Sequence, residues 1–488
     1  MTLLSFLIFL PLLSGTFLFI FKASKKVVQN VSLLVSLGSF AGTLLLLSDF
    51  QNIGELQFVG KIPWIESYGI TYSLGLDGFS MAIMLLLSLL MPATYIYMYN
   101  RSKKVMIISM LLAQGGATGA LLSLDMILFY LFWETMLLPI FIMIGLYGEK
   151  QAMKVALRIT LYTIFGSMAM LLAILLLGVY HYEITGVWSF HLLDLQILHE
   201  KSHLPVWAFV AFLLAFVIKI PLIGFHGWLK SAYESAPTPT IIILSGIMAK
   251  LGVYAIYRFV FMLFPDLVTL AAPYLIGFGI VGLIYFGLIA LMQQHLKILF
   301  AYSSASHMAL IVVGLFTLNS YGQIGALYLI TAHALGTAGI YLLIGLIFEQ
   351  TQTYHINELS GILKKAPWLG TLFILFALSI VGIPGSSGFV AELLIIIGTF
   401  KENIIFGVLS ALTVIIAMTF VLWTLQRIIF GQPSKNLEGF KDISFKDGAF
   451  LSLIVFLIYL MGIMPDMFIT MIEPTFDACL TALEGSTK

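Results

Sequence analysis

Apolar runs of about 20 residues, long enough to cross a bilayer as a helix, recur from one end of the chain to the other, separated by short polar connections. Fourteen spans are read, near 3–22, 27–48, 76–99, 105–123, 125–148, 154–180, 206–229, 240–263, 270–292, 298–317, 322–348, 370–397, 403–430 and 449–471. The predicted fold is therefore all-α and polytopic, a single membrane domain over 1–488. It divides into N-terminal helices (3–99), two five-helix groups (105–263 and 270–430) and a last helix with its tail (449–488). The seventh span is interrupted at Pro221 and the twelfth at Ile383-Pro384-Gly385-Ser386-Ser387. The two breaks lie five spans apart, an odd number, so spans 4–8 and 9–13 run with opposite topology. Interrupted segments at matching places predict two inverted repeats with broken helices 7 and 12, and mark where a transport site sits.

Composition agrees with the pattern. Hydrophobic residues make up 60% and charged residues 10%, with a mean hydropathy of +1.06, which overrides the division into soluble domains that 488 residues would otherwise suggest. A net charge of +1 argues against nucleic acid as a partner. The single Cys479 excludes an internal disulfide framework, a CxxC redox pair and a cysteine-ligated iron–sulfur cluster. The first residues lack a basic n-region, and their apolar run is too long for a signal peptide, so they read as a retained helix. Of the 24 Lys and Arg residues, seventeen fall in the odd-numbered connections, Lys230 and Lys297 among them. The even connections and the tail hold Lys61, Lys201, Lys401 and Lys488, while Lys219, Lys250 and Arg258 lie within spans. The positive-inside rule then puts the odd loops in the cytoplasm and both termini outside. A bacterial cytoplasmic membrane is expected in preference to an organellar inner membrane.

Charge within the spans is where chemistry is expected. Glu134, Lys219, Lys250, His307, His333 and Glu392 fall near the middle of six spans. A charged group at that depth costs about 2.5–3.5 kcal/mol on insertion scales. Lys219 and Lys250 flank Pro221, a polar His226–Lys230 step and Pro237-Thr-Pro239. A helix broken at depth survives where its freed backbone is buried in protein or lines a wet cavity. The order carboxylate, lysines, histidines, carboxylate suits a proton relay, in which each group holds or releases a proton and neighbours set its affinity. Taken singly, each residue has another reading. Glu134 with Lys219 could be a static ion pair, His307 or His333 a packing histidine, and Lys250 a donor to a freed carbonyl. Asp77 and His226 are possible accessory groups, as is Asp125, with helix capping or snorkelling as the alternative.

Two formal motifs are rejected. His199-Glu200-Lys201-Ser202-His203 fits HExxH, but it lies in an outside loop with Pro205 just beyond and no third ligand in view. Gly277-Phe-Gly279-Ile-Val-Gly282 fits GxGxxG, but it lies inside a span with no preceding strand, where glycines serve close helix contacts.

The stretches LFYLFWETMLLPIFIMIGLYG (128–148), KIPLIGFHGWL (219–229), APTPTIIILSGIMAKLGVYAIYR (236–258), AYSSASHMALIVVG (301–314) and LSIVGIPGSSGFVAELLIIIGTF (378–400) resemble the antiporter-like subunits of respiratory complex I and of multisubunit cation/proton antiporters. The resemblance covers spans 3 to 13. It implies fourteen helices with two inverted repeats, Glu134 as the fifth-helix glutamate and Lys219 as its partner. It further implies Lys250 as the central-axis lysine, with His307 and His333 on that axis. Glutamate rather than lysine at 392, and the short stretch after the last span, are similar to the chain M (subunit 4) branch. The chain departs from the family pattern at Lys230, commonly proline, and Tyr233, often histidine, so proton entry through this loop is not carried over. The implied function is a proton-translocating subunit of NADH:quinone oxidoreductase, with NADH, flavin, iron–sulfur clusters and quinone all handled by other subunits and no redox centre here. Neighbouring antiporter-like subunits and the bilayer are the implied partners. A multisubunit Na+/H+ antiporter subunit, a subunit of a ferredoxin-dependent or membrane-bound hydrogenase complex, and a non-conducting scaffold are the alternatives.

Overall fold

The computed structural model describes residues 2–198 and 204–486, so the HExxH match at 199–203 lies outside the described residues. Among the described residues, twelve helices are long and apolar enough to cross a membrane. At the positions expected for the seventh and twelfth spans the helices are shorter. Val206–Lys219 is followed by non-helical backbone and then Leu229–Ser235, and Pro367–Ile380 is followed by a gap and then Ser387–Glu402. The cause is local. Pro221 has no N–H for a helical bond and disfavours helical backbone in the residue before it. In the second gap Pro384 acts likewise, between Gly382 at φ +70° and Gly385 at φ +93°.

Two elements depart from the sequence reading. The connection after the second span folds as an antiparallel hairpin, β1 (Gln57–Ile65) paired with β2 (Ile70–Leu76), with Gly60 opposite Leu74 and Ile65 opposite Ile70. The all-α expectation thus holds for the spans but not for this connection. Ile70, Thr71 and Tyr72 favour strand, and Gly69 supplies the turn at φ +63°. Asp125 ties the hairpin down: one carboxylate oxygen accepts from the Thr71 N–H (2.9 Å) and hydroxyl (3.0 Å), the other caps the next helix through the N–H groups of Ile127 and Leu128. The last expected span, 449–471, is instead Phe445–Ile463. Pro465 ends it, and a second helix, Asp466–Ser486, follows.

The chain forms two compact units. The first comprises Met1–Ile220, Ile247–Ala272 and Met471–Lys488; the second comprises Pro221–Gly246 and Pro273–Thr470. In the first, aromatic rings make the core: the Phe129 ring lies tilted against that of Phe259, 4.4 Å between centres, and Phe79 sits edge-on to Tyr254 and Tyr257. The Asp466–Ser486 helix joins this core through Phe476, 4.7 Å from Tyr257, while Thr475 accepts the Gly78 N–H on its hydroxyl and the Tyr257 O–H on its carbonyl.

In the second unit, small residues bring three helices to backbone contact. A methyl on Gly325 would fall 2.7 Å from the Ile395 nitrogen, and one on Gly314 2.8 Å from the Gly322 oxygen. Leu296–Phe316, buried along its whole length, is thereby clamped beside Ser320–Thr351 and Ser387–Glu402. A methyl on Gly279 would sit 2.7 Å from Val313, which makes this glycine of the GxGxxG match a helix-contact residue, whereas one on Gly277 would meet nothing within 4 Å.

Candidate functional site

In the first unit Lys219 lies against Trp133, the residue before Glu134. Lys219 is the last residue of its helix, buried, and its ammonium stands 3.3 Å from the centre of the Trp133 ring. A desolvated cation over an indole face gains about 2 kcal/mol, and the unpaired carbonyls at a helix C-terminus favour the same charge. Glu134 is half-buried rather than enclosed. Among the described residues Glu134 and Lys219 form no direct ion pair. What Lys219 meets directly is the Trp133 ring, and Glu134 is the next residue in the chain. The helix that carries Glu134 is interrupted at Met136, between Met126–Thr135 and Leu137–Tyr147, because Pro139 leaves the Thr135 carbonyl without its helical partner.

Lys250 is fully buried, on a short α-helical stretch, Ala249–Ala255, between π-helical turns at Leu244–Met248 and Ile256–Phe261. Such turns are rare and concentrate at functional sites. Eight residues on, Arg258 forms an ion pair with Asp77, Nη2 standing 2.6 Å from Oδ2, and donates from Nε to the Tyr254 hydroxyl at 3.1 Å, both ion-pair partners being buried. Asp77 also caps its own helix, taking the Ser80 N–H and O–H on Oδ1. It is therefore both a cap and half of a buried ion pair.

In the second unit His307, His333 and Glu392 form one cluster. His307 Nδ1 lies 2.8 Å from the Ser303 carbonyl oxygen. A carbonyl can only accept, so Nδ1 carries the hydrogen and Nε2 is left for exchange. Nε2 faces Glu392 Oε1 at 3.3 Å, and the His333 ring lies 5.3 Å from that of His307. All three residues are buried. The contact is an ion pair without hydrogen-bond geometry, and one proton on the pair gives imidazolium with carboxylate or imidazole with carboxylic acid. Gly382 lets the carboxylate in: a methyl there would fall 2.7 Å from Glu392 Oε2. His226 lies in the first gap with its ring against Phe286 (4.9 Å) and Tyr285 (5.6 Å), an aromatic setting outside this cluster.

Two buried cations carry roles the sequence did not disclose. Arg258 is recognisable as a charge within a span, but its partner is 181 positions away in the chain. Lys297 counts in the sequence as a loop cation, whereas the structure buries it within the first turn of Leu296–Phe316. It donates to the Ala236 carbonyl at 3.1 Å and stands 4.3 Å from the Tyr354 ring centre. A lysine beside a polar connection reads as positive-inside bias, and nothing local distinguishes it from Lys230.

Residues 123–419 match the family described as NADH:quinone oxidoreductase/Mrp antiporter, transmembrane. The chain is 32% identical over 474 residues to the NADH-ubiquinone oxidoreductase chain 4 of Marchantia polymorpha, covering 96% of this chain and 94% of that one. It is 32% identical over 476 residues to the NADH-quinone oxidoreductase subunit M of Rickettsia prowazekii, covering 95% of each. Its fold is similar to a chain of respiratory complex I from Thermus thermophilus, with TM-score 0.88 and 28% identity over 98% of this chain and 99% of that one. A chain of the Mrp complex from Dietzia sp. DQ12-45-1b shares the fold at TM-score 0.86 and 20% identity, over 100% of both chains.

Proposed function

This chain belongs to the NADH:quinone oxidoreductase/Mrp antiporter transmembrane family, and from that premise we propose that it is a proton-translocating membrane subunit of an NADH:quinone oxidoreductase. NADH oxidation and quinone reduction belong to other subunits of that assembly, and this chain moves protons beside neighbouring antiporter-like subunits. In this reading the twelve long helices and the two interrupted ones, 206–235 and 367–402, make fourteen, arranged as two inverted five-helix repeats. The odd connections face the cytoplasm and both termini lie outside, in a bacterial cytoplasmic membrane.

The observation that carries the proposal is the buried His307–Glu392 pair beside His333. It holds a proton in either of two places, in a core where an idle charge would be expelled. Glu134 sets the charge of Lys219; protons pass by Lys250, His307 and His333; Glu392 releases them outward. Asp77, held by Arg258, and His226 are accessory. Each charge moved against 100 mV requires about 2.3 kcal/mol, supplied by the redox step elsewhere.

The test is NADH-driven proton pumping in membrane vesicles, comparing the natural protein with Glu134→Ala, Lys219→Ala and Glu392→Gln, assembly being followed on native gels. Assembled complexes that lose both pumping and coupled NADH–quinone turnover support the relay. Normal pumping in all three variants makes these groups structural. If NADH drives no pumping in the natural protein, a subunit of a cation/proton antiporter or a ferredoxin-linked complex is the better reading.

A further inference from the structure

In the first unit the first four helices bring two basic connections, 21–24 and 99–103, to one end. Thr2–Ile20 packs antiparallel to Lys104–Leu122: a methyl on Gly15 would meet Leu111 and Leu112, and one on Gly115 would meet Ile8 and Leu12. Followed about two turns further, the same register sets Lys22 level with Lys104. Lys25–Asp49 and Gly78–Met98 reach the same end, where Lys25 Nζ donates to the Asn100 carbonyl at 3.4 Å and the Tyr99 hydroxyl donates to Asn30 Oδ1 at 2.8 Å. Five lysines, Lys22, Lys25, Lys26, Lys103 and Lys104, are thereby gathered there, Lys104 half-buried and the other four exposed. Arg101, between them in the chain, turns back to donate to the Tyr97 carbonyl at 3.2 Å.

What sets these cations apart is their lack of counter-charge. Among the described residues none of the five forms an ion pair. The four helices hold carboxylates only at their far ends: Asp49 closes the helix that Lys25 opens, Asp77 caps the helix that ends at Met98, and no Asp or Glu occurs at 1–48 or 78–124. The basic stretch at 435–446 differs, with Glu438 and Asp442 set among its three lysines. Positive-inside bias acts through Lys and Arg and is nearly indifferent to acids, so it accounts for the lysines but not for the missing carboxylates. Lys25 and Lys26 also stand in the first turn of a helix, where the dipole disfavours a cation. One turn in, on the Lys25 side of that helix, Gln29 is 6% exposed and its Nε2 has no hydrogen-bond partner, a donor short of an acceptor. On the membrane side of Lys22, Phe17 and Phe21 stack 5.9 Å apart and are exposed by 55% and 73%.

We infer that this end of the first unit binds an anionic phospholipid of the adjoining leaflet, its phosphodiester resting among the five lysines and an acyl chain lying along Phe17 and Phe21. Charge selects the headgroup: cations without carboxylates attract an acidic headgroup and repel the amine of a zwitterionic one. The exposed ring pair selects a lipid over a soluble anion or an acidic peptide, because its counterpart is an apolar chain joined to the same negative head. Lysine ammoniums on flexible stems gather around a charge without the fixed fork of arginine, so the site reads negative charge and tolerates differences in headgroup shape.

The test is photolabelling of the intact complex in phosphatidylcholine vesicles that carry a trace of either phosphatidylglycerol or phosphatidylcholine with a diazirine in one acyl chain. Adducts are mapped by mass spectrometry. The ratio of acidic to zwitterionic label at Phe17–Val27 is compared with that at Phe165–Leu175, another exposed apolar stretch, which holds no lysine. The first ratio is expected to exceed the second at least about fivefold, the factor that a single lysine near an anionic lipid contributes. It should fall toward parity in Lys25→Gln/Lys26→Gln/Lys103→Gln and persist in Lys25→Arg/Lys26→Arg/Lys103→Arg, which keeps the charge. Inorganic phosphate, compared with chloride at matched ionic strength, should leave it unchanged. Equal ratios at the two stretches in the natural protein overturn the site, as does enrichment that survives loss of the three lysines. Displacement by inorganic phosphate overturns the lipid as occupant and leaves a soluble-anion site. No adduct from either label at Phe17–Val27 overturns it in favour of a protein neighbour covering this end. Should the glutamine variant fail to assemble, the comparison of the two labels in the natural protein decides the matter.

Discussion

Gly382 fixes where the Glu392 carboxylate stands, and it does so by lacking a side chain. Its φ of +70° would strain an alanine by about 1–2 kcal/mol, and the added methyl would displace the carboxylate from His307. Gly382→Ala is therefore expected to assemble with lowered thermal stability and to lose most NADH-driven pumping, read as the ratio of pumping to NADH oxidation. The Asp77–Arg258 pair is the other residue-scale test. Removing one partner of a buried pair typically costs about 3–5 kcal/mol, whereas replacing both with apolar groups costs far less. Asp77→Asn and Arg258→Met should each lower the midpoint of thermal unfolding, and an Asp77→Leu/Arg258→Met double variant should regain part of the loss. At this scale the sequence disclosed that Glu134, Lys219, Lys250, His307, His333 and Glu392 are exceptional, because a charge in an apolar run is visible without coordinates. Partnership was not visible. That Lys219 rests on the Trp133 ring, or that Lys297 is buried, depends on side-chain directions that no spacing encodes.

Among the elements, the hairpin β1–β2 hangs on Asp125 and on a polar cluster beyond it. Asp125→Ala removes four accepted hydrogen bonds at once. The hairpin should loosen by about 1–3 kcal/mol, the cost of leaving buried donors unmatched, and trypsin should cut faster at Lys61. In the cluster, Asp194 accepts from the Lys61 ammonium at 3.0 Å and from the Ser189 hydroxyl at 2.7 Å. Burial alone would raise the Asp194 carboxyl, but the Ser189 hydroxyl and the Lys61 ammonium together hold it below its usual 3.8. A depressed carboxyl contributes its stability above the ordinary value and loses it as pH falls through the lowered one. Burial also holds the neighbouring His191 imidazole, which bonds Ser73 of β2, below its usual 6.5. Hairpin protection should therefore fall between pH 7 and pH 5 in the natural protein but stay unchanged in His191→Gln, once hydrogen-exchange rates are corrected for their intrinsic pH dependence. An Asp194 contribution that faded in that variant would contradict the sign. Long apolar helices were legible because twenty apolar residues have few other fates in a bilayer. The hairpin was not, since Pro63 and Gly60 interrupt its alternation, and the Asp466–Ser486 helix was read partly as span because Met467 to Ile472 continue the apolar run.

For the molecule as a whole, the arrangement of basic residues makes the proposed topology testable. Alkaline phosphatase fused after the final residue should be active, and fused after Lys104 or Lys365 inactive, with a fluorescent-protein fusion giving the opposite pattern. Reversed signals at any odd connection would break the fourteen-span reading. The two compact units add a constraint on how the chain is made. The first unit draws on residues up to Ile220, then Ile247–Ala272, then Met471–Lys488, and Thr475 and Phe476 complete its aromatic core. A ribosome working at about 5–20 residues per second takes roughly 10–40 s between the second of these segments and the third. Throughout that interval the groove around Phe79 and Tyr257 stands open, so the earliest helices to enter the membrane belong to the unit that is last to close.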